Sequence, residues 1–232
     1  MIIVITGSSK GIGKAIAEEF AADAHQFFLC SRNDFQLYET LKDLQARFPT
    51  SEFKARPTDL SRREEVKAYA EWVLSHGVPD ILINNAGLFI PGSIYNEEEG
   101  ALETSLSVNL LSAYHLTRHF LPGMMARKSG HIFNICSIAS IAAYANGGAY
   151  SISKFALLGF SKNLREEMKP HGIKVTAVLP GAAYTDSWSG SGVDPNRIME
   201  ARDIALMIVA SSRLSIQACV EDIILRPQLG DL

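Results

Sequence analysis

Short apolar runs alternate with longer amphipathic segments along the whole chain. IIVIT (2–6), FFLCS (27–31), EFKAR (52–56), DILIN (80–84), HIFNIC (131–136), KVTAVL (174–179) and VEDIIL (220–225) predict seven strands. Several of these runs are continuous rather than alternating, as expected of strands covered on both faces. Between them, apolar residues recur at helical spacing near 12–23, 34–47, 62–75, 104–127, 150–168 and 202–210. Strand and helix in alternation predict an α/β chain. The expected architecture is a doubly wound, mostly parallel seven-stranded sheet with helices on both faces, joined by right-handed crossovers.

No Pro-, Gly- or Ser-rich linker divides the sequence and no short internal repeat is visible, so residues 1–232 are expected to form one domain. The clearest interruption is GAAYTDSWSGSGVDPNR (181–197), within a loop of about 181–201. It follows a strand end, which is where open sheets of this kind bind ligands.

Composition acts mainly by exclusion. The 232 residues are 47% hydrophobic and 20% charged, with a formal net charge of -3. So mild an acidity gives no electrostatic reason to expect a nucleic acid or an anionic membrane as partner. The apolar runs are too short to span a bilayer, and Met1 leads into the first strand without a charged leader. Cys30, Cys136 and Cys219 lie far apart in apolar segments without a C-x-x-C, and read as reduced core thiols of a cytoplasmic protein. His115 and His119 lack a third ligand and read as surface or interface residues, so no metal is expected. NEEEG (96–100) reads as a solvated helix start, where the dipole favours carboxylates.

The first strand runs into TGSSKGIGKAIAEEF, with Gly7, Gly11 and Gly13 between strand and helix. Glycines in that setting permit a tight turn, close approach of backbone to a pyrophosphate, and tight packing of helix on strand. The spacing is G-x-x-x-G-x-G rather than the commoner G-x-G-x-x-G, and Ser9, Lys10 and Ile12 fill the same loop. After the second strand, LCSRND offers Ser31 and Arg32 where an acidic residue would bind the ribose 2′-hydroxyl of NAD. A guanidinium suits a 2′-phosphate, and Lys10 adds a second cation, so NADP(H) is preferred and NAD(H) is the alternative. Asp34 would reverse the preference if the strand ran on that far.

Further along, AYSISKFALLGFSKNL (149–164) sets Tyr150 and Lys154 four apart, on one helical face. A neighbouring ammonium favours the phenolate and lowers the tyrosine pKa from about 10 toward working pH. Taken together and in order, these elements resemble the short-chain dehydrogenases/reductases in their compact single-domain form, a Rossmann-fold family. TGSSKGIG is similar to the family's cofactor loop. NNAG (84–87) is similar to its sheet-stabilising motif, with Asn85, Ala86 and Gly87 beside the cofactor. Asp59 and Leu60 in TDLS resemble the adenine-contacting segment. LPG (179–181), with Pro180 and Gly181, and then Thr185 resemble the border of the nicotinamide. Asn109, Ser137, Tyr150 and Lys154 resemble the catalytic four.

That resemblance implies an NADPH-dependent carbonyl reductase with Tyr150 as general acid/base. Ser137 would hold the carbonyl oxygen, Lys154 would also bind the nicotinamide ribose, and Asn109 would hold a water linking Lys154 to solvent. An NAD-dependent alcohol dehydrogenase on the same fold and a non-catalytic dinucleotide sensor are the alternatives. Around the substrate, Ser137 and Tyr150 are joined by Tyr184 and Trp188, which either form an aromatic wall or anchor the loop. The tail VEDIILRPQLGDL is similar to that of bacterial sepiapterin reductases, which points to a pterin side chain or a small vicinal dicarbonyl. Asp231 there would either anchor a pterin ring or belong to a frayed end. Helices 104–127 and 150–168 carry more apolar residues than one sheet face needs (Leu106, Leu110, Leu111, Leu116, Phe155, Leu158). The resemblance implies a homodimer or homotetramer through them.

Overall fold

The computed structural model describes residues 1–185 and 192–231. Its strands are β1 (Ile2–Thr6), β2 (Gln26–Ser31), β3 (Glu52–Pro57), β4 (Ile81–Asn84), β5 (Gly130–Ile135), β6 (Ile173–Pro180), β7 (Ala183–Tyr184), β8 (Met199–Glu200) and β9 (Asp222–Leu225). The helices are α1 (Gly11–Phe20), α2 (Asp34–Arg47), α3 (Arg63–Leu74), α4 (Ala101–Leu106), α5 (Ser112–Arg127), α6 (Gly148–Met168) and α7 (Ala201–Ser212). Seven strands form one sheet in the order β3-β2-β1-β4-β5-β6-β9, and every pairing is parallel. The doubly wound expectation is met, with the order turning back between β1 and β4.

Continuous apolar runs are explained by which neighbour each side chain meets. Ile3, Ile5, Phe27, Leu29, Ile81 and Ile83 pack with α1, α2 and α7 on one face. The residues between them, Val4, Phe28, Cys30 and Leu82, pack with α3, α5 and α6 on the other. Successive strand residues point to opposite sides, so two covered faces require apolar residues at every position. Within this interior Asn84 Nδ2 donates to Thr117 Oγ1 (3.1 Å) and Asn134 Oδ1 (2.8 Å), and Asn134 Nδ2 donates to Ser161 Oγ (2.9 Å). This polar row ties α5, β4, β5 and α6 together at one level.

Three expectations need correction. The helix placed at 104–127 begins at Ala101 and contains a π-helical turn, Ser107–Leu111, between α4 and α5. The segment read as loop brings its ends together as the short parallel pair β7–β8. The tail is not frayed: Arg197 donates to the carbonyls of Leu229, Gly230 and Asp231, and Arg226 pairs with the Asp231 carboxylate. Among the described residues no helix is long and apolar enough to cross a membrane.

The contact between α1 and β1 is set by the absence of a side chain. A Cβ on Gly13 would stand 2.4 Å from the Gly7 carbonyl oxygen and 2.6 Å from Asn85 Nδ2. Gly13→Ala must therefore push α1 off the sheet, and overpacking of this kind costs about 1–3 kcal/mol. Urea denaturation should show the loss; an unchanged midpoint would mean that α1 has room to spare.

Candidate active site

β1 ends at Thr6, and the chain turns through Gly7 (φ 61°) and Gly11 (φ 55°) into α1. A Cβ on Gly7 would meet Ala86 Cα at 2.9 Å. Thr6 Oγ1 accepts from the N–H groups of Asn85 and Ala86 (both 2.9 Å), while Asn85 Nδ2 donates to the carbonyls of Thr6 (2.9 Å) and Gly7 (3.0 Å). The ends of β1 and β4 are thereby stitched together at the floor of a cleft of about 470 Å³. The wall includes Ser9, Lys10, Ile12, Ser31, Arg32, Asp59, Leu60, Asn85, Ala86, Gly87 and Thr185. Gly13 instead sits behind Gly7. Pro180 and Gly181 lie off the wall, at the end of β6, where the Gly181 N–H bonds Leu225 O (2.8 Å).

β2 stops at Ser31, so Arg32 faces the cleft, while Asp34 lies in the first turn of α2 and accepts from Phe35 N–H (2.7 Å). Ser9 and Ser31 share a hydroxyl hydrogen bond of 3.0 Å. Burial pushes the Asp59 carboxyl up, but hydrogen bonds from Ser61 and the charges of Arg32 and Arg62 outweigh it, leaving a net lowering. The helix start of α1 carries no acidic side chain that would compete with an anion. A glycine cradle with no space for Cβ atoms, an open helix start and a guanidinium on the far wall fit a phosphorylated dinucleotide.

At the other end of the cleft, Gly87 adjoins the second group of residues. A Cβ there would lie 3.4 Å from Lys154 Nζ and 3.5 Å from Asn109 Oδ1. Lys154, buried on α6, donates to the Ile135 carbonyl at 2.7 Å, and its Nζ stands 5.8 Å from the centre of the Tyr150 ring. Ser137 caps a short turn after β5, its hydroxyl accepting from Ala139 N–H (3.1 Å). The four expected residues thus converge on one place from α6, the π-helical turn and the loop after β5. Turns of this type are frequent at functional sites because the extra residue re-aims a side chain.

One electrostatic detail differs from the sequence reading. Tyr150 is not lowered overall: burial raises it, and the neighbouring Ser137 hydroxyl only partly offsets this. Burial pushes Lys154 itself down to about 8. The Asn109 side chain is already engaged. Its Nδ2 donates to Leu88 O (3.0 Å) and Ser153 Oγ (2.8 Å), and its Oδ1 accepts from Leu88 N–H (2.7 Å).

A family model for the short chain dehydrogenases matches residues 1–194. The chain belongs to the short-chain dehydrogenase family. It is 32% identical to a sepiapterin reductase of Chlorobaculum tepidum, over 100% of this chain and 98% of that protein. A metagenomic short-chain oxidoreductase solved in complex with NADP superposes with a TM-score of 0.85 at 31% identity, covering 98% of this chain and 97% of that one. L-sorbose reductase from Gluconobacter frateurii, solved with NADPH and L-sorbose, gives 0.89 at 28% identity over 97% and 94%. This member of the short-chain dehydrogenase family is accordingly an oxidoreductase.

Several residues at the site escaped the sequence reading. Phe89 meets the Tyr150 ring edge-on at 5.0 Å, and burial, with the Tyr150 phenol nearby, raises Tyr144 to about 12. Ser153 had no signal beyond its place beside Lys154. Of the substrate-side expectations, Tyr184 is exposed on β7, and Trp188 lies outside the described residues.

Lys154 has a consequence for stability against pH. Its folded value of about 8 lies below the ordinary 10.5, so between these the unfolded chain binds more protons and stability rises with pH. Tyr150 and Cys136, both raised by burial, act in the opposite sense, so the comparison requires Lys154→Met as reference. Relative to that variant, the wild type should gain at most about 3 kcal/mol from pH ~7.5 to ~10.5 in denaturant titrations. A pH-independent difference would count against a depressed lysine.

Proposed function

We propose that this short-chain dehydrogenase is an NADPH-dependent reductase of a small ketone or dicarbonyl, with Tyr150 as the proton donor. The observation that carries the reading is the buried Tyr150–Lys154 pair, which adjoins the dinucleotide cleft at Gly87. Burial leaves the Tyr150 phenol holding the proton that reduction of a carbonyl requires, and the acidity to release it must come from positive charge placed beside it. The Ser137 hydroxyl holds the carbonyl oxygen in line with the phenol. Lys154, held by Ile135, brings a positive charge that stabilises the phenolate left after proton transfer. Asn109 fixes the backbone at Leu88 and, through Ser153, the turn of α6 that carries Lys154. The glycine loop and Arg32 would hold NADPH, which when bound would supply the hydride.

Support for NADPH comes from Arg32 on the wall and Asp34 off it, and from the NADP-bound relatives in structure. Support for the substrate class comes from the sepiapterin reductase relative and from the aromatic edge of Phe89 beside Tyr150. Asp231 pairs with Arg226, so a pterin would need to displace that partner to use it. Outward-facing Leu111 and Tyr114 on one side, with Ile152 and Phe155 on α6, support a homodimer or homotetramer; Leu116, by contrast, is wholly in the core.

Initial rates with NADPH and NADH on sepiapterin, diacetyl and an aromatic diketone test the reading. Tyr150→Phe should lower kcat by about 10²–10⁴-fold and leave NADPH affinity intact. Arg32→Ala should weaken NADPH binding by about 10- to 100-fold, as expected for lost charge-assisted bonds, and leave NADH unaffected. Near wild-type turnover by Tyr150→Phe would refute the proton-donor role.

A further inference from the structure

The segment ahead of α4 reaches across to the helix that carries Tyr150. α6 begins at Gly148 after Gly147, which has no side chain to cap it, and its first turn contains no acidic residue. Helix starts leave N–H groups without partners, and these must be satisfied from elsewhere. Here Glu97, distant in sequence, does so: its Oε2 accepts from the Ala149 N–H at 3.0 Å. NEEEG therefore is not simply a solvated helix start, since one of its carboxylates caps a different helix.

The surroundings are shaped to that contact. A Cβ on Gly148 would stand 2.6 Å from the same carboxylate oxygen, and one on Gly92 would stand 2.8 Å from the Glu97 Cβ. Gly92 and Gly147 are bridged through the backbone, with the Gly92 N–H donating to Asn146 O at 3.1 Å. The Ser93 hydroxyl donates to Asn146 Oδ1 at 2.9 Å, and Asn146 takes a left-handed φ of 59°. The Glu97 N–H closes the turn on Ser93 O at 2.8 Å. Ala149, whose amide is capped, directly precedes Tyr150.

We propose that Glu97 is a positioning residue for Tyr150: by capping the first turn of α6 it holds the phenol in its reactive place. The proposal rests on the reading of Tyr150 as proton donor. A carboxylate at this point satisfies an N–H and complements the positive end of the helix dipole. Without it the first turn frays, and the phenol loses alignment with the carbonyl oxygen; misplacement by about 1 Å can cost about 10²-fold in rate.

The test compares the full-length wild type with Glu97→Ala, Glu97→Asp and Glu97→Gln. Three quantities are read: amide hydrogen exchange at Ala149–Ser151, NADPH affinity by fluorescence, and kcat with KM on a diketone the wild type reduces. Glu97→Ala and the shorter Glu97→Asp should exchange about tenfold faster at α6, the equivalent of a lost cap. In both, kcat should fall about tenfold or more while NADPH affinity and KM hold. Glu97→Gln keeps an acceptor oxygen at the same reach and should restore both exchange and kcat.

Unchanged exchange and kcat in Glu97→Ala would overturn the proposal. So would a Glu97→Gln variant as impaired as Glu97→Ala, or a joint fall of kcat, NADPH affinity and melting temperature. If Glu97→Ala does not fold, the Asp and Gln pair decides on the same readings. A wild type inert toward every carbonyl would sink the reductase reading alone, because the exchange comparison needs no turnover.

Discussion

Thr6 accepts hydrogen bonds from Asn85 and Ala86 across a separation of about 80 residues, and Asn85 returns its amide to the carbonyls of Thr6 and Gly7. This junction joins the two halves of the sheet where the strand order reverses. Everything on the ligand side hangs from it. It sets the depth of the glycine loop, brings Gly87 beside Lys154 and Asn109, and leaves the cleft open between β1 and β4. The close approach is available only because Gly7 and Gly13 lack Cβ atoms, so a packing constraint and a binding surface are the same feature.

Electrostatics at the other end follow from burial rather than from pairwise charge. A lysine brought into the core would lose its proton easily, and the Ile135 carbonyl holds it by a single charge-assisted bond. The adjacent phenol is kept neutral by the same exclusion of water. The protein alone therefore arranges a neutral acid beside a weakened ammonium. The simpler idea that four-residue spacing suffices to acidify the tyrosine omits the desolvation that both groups undergo.

Asn109 and Glu97 illustrate how backbone groups at irregular places are satisfied by side chains from afar. Asn109 sits in a π-helical turn and bonds both the N–H and the carbonyl of Leu88. Glu97 caps α6 from a loop that belongs to another part of the sequence. Each meets the requirement that buried or helix-end polar groups find partners, and each fixes a segment that borders Tyr150 or Lys154.

From the sequence alone, the alternation of apolar runs and helical periods determined the layered parallel sheet, because burial on both faces leaves its mark at every strand position. The glycine loop was legible because tight turns constrain residue type locally, whereas Asn109, Ser137, Tyr150 and Lys154 stood out by their resemblance to the family's ordered motifs. Only the tertiary structure decided that β2 ends before Asp34, that Glu97 belongs to α6, that Phe89 and Tyr144 flank Tyr150, and that the tail is held by Arg197 and Arg226. Those contacts join residues far apart in the chain, and their energy depends on distance and on exclusion of water, neither of which has a period or a spacing to be read along a sequence.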